Sequence, residues 1–410
     1  MNSMTKVRLL ILLTTIFFVG SAVTIVSFYA RGYRFKPGKL TLSANGLLVV
    51  KSDPEGAQIL INRELKSASN ATLPLPPGKY DVTLKKEGYF EWYKRLDIEK
   101  EVVTQVTSHL FKSVPSLTPI TFTGVVDPTA SDDFTKIAFF VPPNAKISSS
   151  GESKEGLWVL ETFNLPIGFS RDAKRITDGD LTNSTINWAP DGREILLKTA
   201  SGAYLIDSSK FTPQSQWINI SPDEEKIMDD WVIERKSKRS ALIKKLPDQF
   251  NEIISKKAGK VLFSPDEKML VYSASTSAQI PDNLIKPLPG ASTQREEREL
   301  APGRIYVYDI LEDKNFLIDE NSEFSLLIGA GTAVGEKRRI SWFPTSKNLV
   351  LAEEGRVVIM DYDGTNRQTV YSGSYLSPHA FPTLSSDRLI ILTNLGADST
   401  LPNLYSLSLK

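Results

Sequence analysis

Three kinds of hydrophobic patterning divide the chain. From Leu9 to Ala30 the sequence runs LLILLTTIFFVGSAVTIVSFYA without a charge. These 22 residues are apolar on every face, and about 20 suffice to cross a bilayer core as a helix. Short runs alternating apolar and polar residues follow, separated by glycine, proline and asparagine, which is the signature of half-buried strands joined by tight turns. From about residue 115 a loose repeat of strand pairs takes over. It is interrupted once, between Asp223 and Lys257, where apolar residues fall at helical spacings: Ile227, Trp231, Ile233 or Glu234, Leu242 and Leu246. A helical insertion broken near Pro247 is expected there.

The alternating region predicts about six short strands. Leu47–Val50 and Gln58–Ile61 flank the turn Asp53-Pro54-Glu55-Gly56, in which proline presets φ and glycine accepts a positive one. Asn62-Arg63-Glu64 closes the second strand, and Pro76-Pro77-Gly78 introduces Tyr80–Leu84. Glu87-Gly88 leads into Phe90–Ile98, and Val102–Phe111 is the last strand. A small antiparallel sandwich follows from this spacing. Ser52-Asp53-Pro54-Glu55-Gly56-Ala57, with Leu75-Pro76-Pro77-Gly78-Lys79-Tyr80 and Lys86-Glu87-Gly88-Tyr89, resembles the PEGA domain over residues 46–112. That resemblance implies a surface-exposed β-sandwich of envelope proteins without a catalytic centre. Trp92 and Tyr93, beside Tyr89 and Phe90, could form a stacking platform for a carbohydrate, although alternation sends half of such a run into the core. His109 in its alternating strand is expected to be an ordinary surface or edge residue.

The repeat consists of an aromatic, a proline-containing polar turn, an apolar strand, and a second strand ending near aspartate. Trp188-Ala189-Pro190-Asp191-Gly192 to Leu197, with Ala203–Asp207, is one copy. Phe263-Ser264-Pro265-Asp266 to Tyr272, with Ile305–Asp309, is another, and Trp342-Phe343-Pro344-Thr345 to Leu351, with Val357–Asp361, is a third. Phe381-Pro382 to Leu392, with Leu404–Leu407, is degenerate, and Val126–Phe140 with Leu157–Leu160 opens the series. One such sheet cannot bury both of its faces alone, whereas neighbours closed into a ring cover them. In that arrangement the aromatic before each turn wedges between sheets. These copies resemble the propeller repeats of TolB-type and WD-repeat-like proteins. The order of parts also looks like that of bacterial PEGA-containing envelope proteins.

The expected fold class is therefore mainly β: an N-terminal transmembrane helix, a PEGA-type sandwich, then a β-propeller of about 5–6 blades with a helical insertion. The expected domains are 1–39 (cytoplasmic tip, anchor and basic linker), 40–113 (sandwich) and 114–410 (propeller-like repeats). A second insertion, Thr276 to Pro302, carries four prolines and the run Arg295-Glu296-Glu297-Arg298-Glu299, and reads as a long loop over one face of the ring. Loops of this length in compact domains are usually functional or disordered.

Composition narrows the chemistry. With 49 basic and 48 acidic residues there is no global charge to recruit nucleic acid. Cysteine is absent, which removes disulfides, thiolate metal sites and cysteine nucleophiles. His109 and His379 are the two histidines, too few for a histidine-rich metal site. No G-x-S-x-G, G-x-x-x-x-G-K-[ST] or G-x-G-x-x-G occurs. Asp361-Tyr362-Asp363-Gly364-Thr365-Asn366 superficially resembles a calcium loop but lacks its terminal glutamate, and Asp-Gly favours a hairpin turn. Asp178-Gly179-Asp180 reads the same way. The acidic cluster Asp223, Glu224, Glu225, Asp229, Asp230 next to Arg235, Lys236, Lys238 and Arg239 is most simply a salt-bridged helix surface. No catalytic residue, metal ligand or cofactor is expected.

The anchor could instead be a cleaved signal peptide. Such a peptide would have a shorter apolar core of ~7–15 residues, and the nearest small-residue pattern, Gly20-Ser21-Ala22, lies inside the run. A retained anchor over residues 9–30 is the expectation. Flanking charges (Lys6 and Arg8 before; Arg31, Arg34, Lys36 and Lys39 after) favour a cytoplasmic C-terminal side, but large following domains translocate largely regardless of charge. The domain types place the bulk outside. The reading is a membrane-anchored extracytoplasmic protein that binds an envelope protein or a glycan. Contact is expected at the two insertions through Trp231, Arg235, Arg239, Arg295 and Arg298, and in the sandwich through Trp92 and Tyr93. Two alternatives are a cell-wall glycan hydrolase or lyase with carboxylates in the propeller channel, and a purely structural spacer.

Overall fold

The computed structural model describes residues 3–30, 33–36, 39–143, 154–163, 172–286, 288, 292–321, 324–326, 337–397 and 400–410. The chain is mainly β and begins with one long helix, α1 (Ser3–Ala30). Residues Leu10–Ala30 of α1 are long and apolar enough to cross a membrane, and none of that stretch is buried inside the protein. Two compact units form: Met1–Glu87 with Glu91–Leu110 and Pro287–Gln294, and Gly88–Phe90 with Phe111–Lys286 and Arg295–Lys410.

In the first unit, seven strands lie between Gly46 and His109. Gln58–Ile61, Glu64–Ala68, Gly78–Lys85 and Trp92–Ile98 form one sheet. Ala71–Leu75, Gly46–Asp53 and Val103–His109 form the other. Alternation decides what is inside: Trp92, Leu96 and Ile98 are buried, while Tyr93, on the opposite face of the same strand, is exposed. Leu48, Val50, Ile59, Ile61, Val82 and Leu84 complete the core, each aliphatic chain contributing roughly 1.5–3 kcal/mol on burial.

Two expectations about this unit need correction. The sandwich is not wholly antiparallel. Its first and last strands run parallel, in register from Leu47↔Val103 to Asp53↔His109. A pairing between strands so far apart in sequence leaves no local pattern to read. The stretch expected as a basic linker, Arg31 to Lys39, holds the strand Tyr33–Lys36, which pairs antiparallel with Lys39–Ala44. The hydroxyl of Tyr33 donates to Glu101 Oε1 at 2.6 Å.

In the second unit, five meandering sheets succeed one another among the described residues. Sheet 1 holds Val126–Ala130, Lys136–Val141, Gly156–Glu161 and Lys174–Thr177, and sheet 2 holds Thr185–Trp188, Glu194–Thr199 and Gly202–Asp207. Sheet 3 is Ala258–Phe263, Met269–Ala274, Ile305–Asp309 and Lys314–Asp319. Sheet 4 is Arg339–Trp342, Asn348–Glu353, Arg356–Asp361 and Gln368–Ser372, with Ser325–Leu326 added in parallel. Sheet 5 joins Ala380–Pro382, Arg388–Thr393 and Asn403–Ser408 to Ser116–Pro119, so the start of the unit supplies the strand beside its last one.

Hydrophobic clusters join the sheets in ring order. Ile137, Phe139, Phe381 and Leu404 link sheets 5 and 1; Ala138, Phe140, Trp188 and Leu197 link 1 and 2. Val271, Phe316, Trp342 and Leu351 link 3 and 4, and Val350, Ile359, Leu389 and Leu407 link 4 and 5. Between sheets 2 and 3 the helical insertion enters. Helix α2 (Glu224–Ile243) places Trp231, Ile227 and Met228 on sheet 2. Helix α3 (Asp248–Lys257) buries Phe250 and Ile254 against Tyr272, Tyr306 and Tyr308 of sheet 3. Phe250 stacks on Tyr308 with ring centroids 3.8 Å apart. Proline at 247, immediately before α3, separates the helices as expected.

Candidate binding site on the turn face

Each sheet turns from its first strand into its second through the same hydrogen-bonded loop. The turns start at Ser131, Ala189, Ser264, Phe343 and Thr383. In each, the N–H of the starting residue donates to the carbonyl five residues on, and the N–H three residues on donates back to its carbonyl. The fourth residue of every turn (Phe134, Gly192, Glu267, Ser346 and Ser386) has φ between 56° and 67°. Glycine takes that conformation without a Cβ penalty only at Gly192. Elsewhere the double hydrogen bond and a side-chain acceptor hold the turn; Ser264 Oγ, for example, donates to Asp266 Oδ1 at 2.7 Å.

The aromatic that precedes the turn locks neighbouring sheets together. Trp188 Nε1 donates to Thr129 O at 3.0 Å, and Trp342 Nε1 donates to Leu262 O at 3.1 Å. Both acceptors lie two residues before the turn of the preceding sheet. Lys136 Nζ of sheet 1 adds bonds to Gly192 O (3.0 Å) and Ser208 Oγ (2.8 Å) of sheet 2. The five turns are therefore each held by the same pair of backbone bonds, and two of the sheet interfaces are fastened beside them.

Helix α2 crosses three of these turn ends. Its residues Trp231, Arg235, Arg239 and Leu242 share one face by their i, i+4, i+8 and i+11 spacing. Trp231 is buried on sheet 2. One turn later Arg235 donates to Asp132 of sheet 1 through Nε (2.7 Å) and Nη2 (3.3 Å), and from Nη2 to Trp188 O (2.5 Å). Beyond it, Arg235, Lys238, Arg239 and Leu242 form one wall of a groove of about 310 Å³. Asp132, Val261–Pro265 and Glu267 form the rest.

The charges of this groove are unevenly paired. Asp132 is held by Arg235. Glu267 is met by Lys245 at 2.9 Å, and Lys238 pairs with Glu234 at 2.8 Å. Arg239, half-buried, has no hydrogen-bonding or ionic partner among the described residues. A charged cluster on sheet 4 behaves differently. There Glu353 is buried and met by Arg338 (2.9 Å), Arg356 (2.5 Å) and Arg367 (3.1 Å). Burial alone would raise its pKa, but hydrogen bonds from Arg338 and Arg356 and the charges of Arg356 and Arg367 hold it below the usual carboxylate range. That network is closed, whereas the groove is not.

The other residues singled out in the sequence are scattered. Trp92 is buried in the sandwich core. Tyr93 is exposed and donates to Asp81 Oδ1 at 2.8 Å, beside Arg95. Arg298 is a strut: its Nη1 donates to Pro281 O (2.7 Å) and Asp313 Oδ1 (3.3 Å), and its Nη2 to Asp313 O. Arg295 is exposed and makes no bond among the described residues. The second insertion is more structured than a loop. Ala278–Gln279 pairs with Glu299–Leu300, and Ile280 and Leu300 are buried on sheet 3. Lys238, Asp132 and Glu267 join the groove without having been singled out as contacts. Asp132 lies 103 residues from Arg235, and only the fold brings the two together.

The Asp361–Asn366 loop is a turn between Arg356–Asp361 and Gln368–Ser372. Asp361 accepts from Asn348 Nδ2 and Asn366 Nδ2, both at 2.9 Å. No group of three or more acidic or histidine side chains suited to a metal occurs among the described residues.

Residues 45–113 match the PEGA domain family. No curated protein matches the chain in sequence. Similar solved structures include a protein assigned as TolB from Agrobacterium tumefaciens, at 12% identity over 68% of this chain and 77% of that one, with a TM-score of 0.22. TolB from Acinetobacter baumannii is 13% identical over 86% of this chain and 63% of that one, with a TM-score of 0.19. An acylaminoacyl peptidase from Pyrococcus horikoshii is 10% identical over 71% of this chain and 39% of that one, at 0.21. Likeness at that level carries no argument about activity.

Proposed function

We propose that the chain is a membrane-anchored binding and scaffolding protein of the cell envelope. α1 is the anchor, 40–113 the sandwich, 114–410 the propeller, and the bulk lies outside the cytoplasm. Its partner is another envelope protein or a glycan. The observation that supports this best is the junction of an unburied apolar helix with a PEGA domain. An apolar helix with no protein around it needs lipid. Sheets held rigid by repeated turns suit the display of a surface. Among the residues singled out, Arg239 and Arg295 make no hydrogen bond or ion pair among the described residues, and Tyr93 presents an exposed ring whose hydroxyl is bonded to Asp81.

The absence of cysteine makes sidedness simple to test. Lys66→Cys and Glu225→Cys, both exposed, are expected to react with a membrane-impermeant maleimide in intact cells, whereas Asn2→Cys should react only after lysis. The opposite pattern would overturn the topology.

A further inference from the structure

We infer that the groove between α2 and sheet 3 binds an extended peptide segment carrying a single carboxylate next to an apolar side chain. The inference rests on reading the chain as a binding protein and names the chemistry of its partner. Three observations point to this ligand. First, of three cations in the groove, Arg235 and Lys238 are already paired, and Arg239 is not. The two acids, Asp132 and Glu267, are also paired. One uncompensated guanidinium flanked by two carboxylates suits one negative charge. A polyanion such as a nucleic acid or a multiply charged phosphate would find one unpaired cation for its several charges, the others being already matched. Second, Leu242, Val261, Leu262, Phe263 and Pro265 supply apolar wall beside that charge, so the ligand must bring apolar surface as well. Third, the consecutive residues Val261 to Pro265 all line the groove. Side chains of a strand alternate between faces, so backbone forms part of this wall. Ala258–Phe263 is also the edge strand of sheet 3. A strand edge recognises an extended chain, whose own backbone matches its spacing.

The geometry gives each residue a role. Arg239 is the carboxylate receptor. Arg235, held by Asp132 and Trp188 O, fixes the helix over the groove and keeps Asp132 neutralised. Leu242 and Phe263 receive the apolar neighbour of the acid.

The test uses the 410-residue chain in detergent micelles and three fluorescein-labelled peptides, Ala-Leu-Glu-Leu-Ala-Gly and its Glu→Gln and Glu→Lys counterparts, followed by fluorescence anisotropy. The glutamate peptide is expected to bind about tenfold or more tightly than the glutamine peptide, as loss of one charge-assisted hydrogen bond requires. Arg239→Lys should keep most of that preference. Arg239→Glu should abolish it and instead favour the peptide with lysine at the same place. Because Arg239 has no hydrogen-bonding or ionic partner among the described residues, both variants should melt at the wild-type temperature. Equal binding of the glutamate and glutamine peptides to the wild type, an unchanged preference in Arg239→Glu, or competition by inorganic phosphate as strong as by unlabelled peptide would each overturn the inference. Absence of peptide binding up to about 1 mM, weaker than any specific contact of this size, would do the same. None of these outcomes bears on sidedness, which the cysteine labelling decides separately.

Discussion

Arg235 and Asp132, 103 residues apart, form a two-pronged ion pair that fastens α2 to the first sheet of the ring. Both side chains are largely shielded, at 16% and 24% exposure, so the pair is worth more than a surface bridge. Arg235→Ala and Asp132→Ala are each expected to destabilise the protein by ~1–3 kcal/mol, with a coupling energy of about 1 kcal/mol or more in the double-mutant cycle. In Arg235→Ala, amide exchange over 224–243 should rise ahead of exchange in the sheets. Strict additivity of the two substitutions would show that the pair does not hold the helix.

The tryptophan locks separate two contributions cleanly. Trp188→Phe keeps most of the buried ring but removes the indole donor to Thr129 O. A buried carbonyl left without its donor costs ~1–3 kcal/mol. Trp188→Ala also opens a cavity and is expected to cost ~3–5 kcal/mol. Urea unfolding of the two variants checks the order. Trp342→Phe should reproduce the smaller loss, because its bond to Leu262 O is the same bond two interfaces further on.

Much of this was legible in the sequence. The unbroken apolar run announced α1, and Pro190-Asp191-Gly192, Pro265-Asp266 and Pro344-Thr345 marked three of the five turns. The first and fifth turns were fainter because Asp132 and Leu384 stand where the other three carry proline, and Phe134 and Ser386 occupy the left-handed position in place of glycine. There the hydrogen bonds, not the residue type, impose the conformation. The groove was only half visible. Arg235 and Arg239 stand out on a helix, but nothing local says that Asp132 will neutralise the first and leave the second free. The parallel pairing of Gly46–Asp53 with Val103–His109 was invisible for the same reason: its partners are distant in sequence.

His379 should make stability fall on mild acidification. It is buried, its Nδ1 has no hydrogen-bond partner among the described residues, and burial, helped by the nearby charge of Arg339, lowers its pKa from 6.5 to about 3. Above pH ~6.5 both the folded and unfolded histidines are neutral and nothing is lost. As pH falls below that value the unfolded chain takes up a proton that the folded one refuses, so stability drops by ~1.4 kcal/mol per pH unit until the folded value near 3. Between pH 6.5 and 5 the loss should reach about 2 kcal/mol. His379→Leu should flatten that part of the curve in urea titrations. A parallel decline in the variant would assign the effect to other groups.

Phe250 anchors the second insertion helix. It is fully buried and stacked on Tyr308. Phe250→Ala is expected to cost ~3–5 kcal/mol, and near-ultraviolet circular dichroism should lose the tyrosine signal of sheet 3. A loss below ~1 kcal/mol would mean that α3 merely rests on the ring.

The strand Ser116–Pro119 lies beside Asn403–Ser408, so the ring is fastened by joining its first strand to its last. A chain emerging from a ribosome or a translocon holds Ser116–Pro119 unpaired until nearly all of residues 120–402 have followed. Leu404, Leu407 and Leu409, all buried, arrive last and complete the seal. A proteolytic nick that removed Asn403–Ser408 would leave an open arc with an unpaired edge. That strand is thus the clasp by which the closed arrangement differs from an open one.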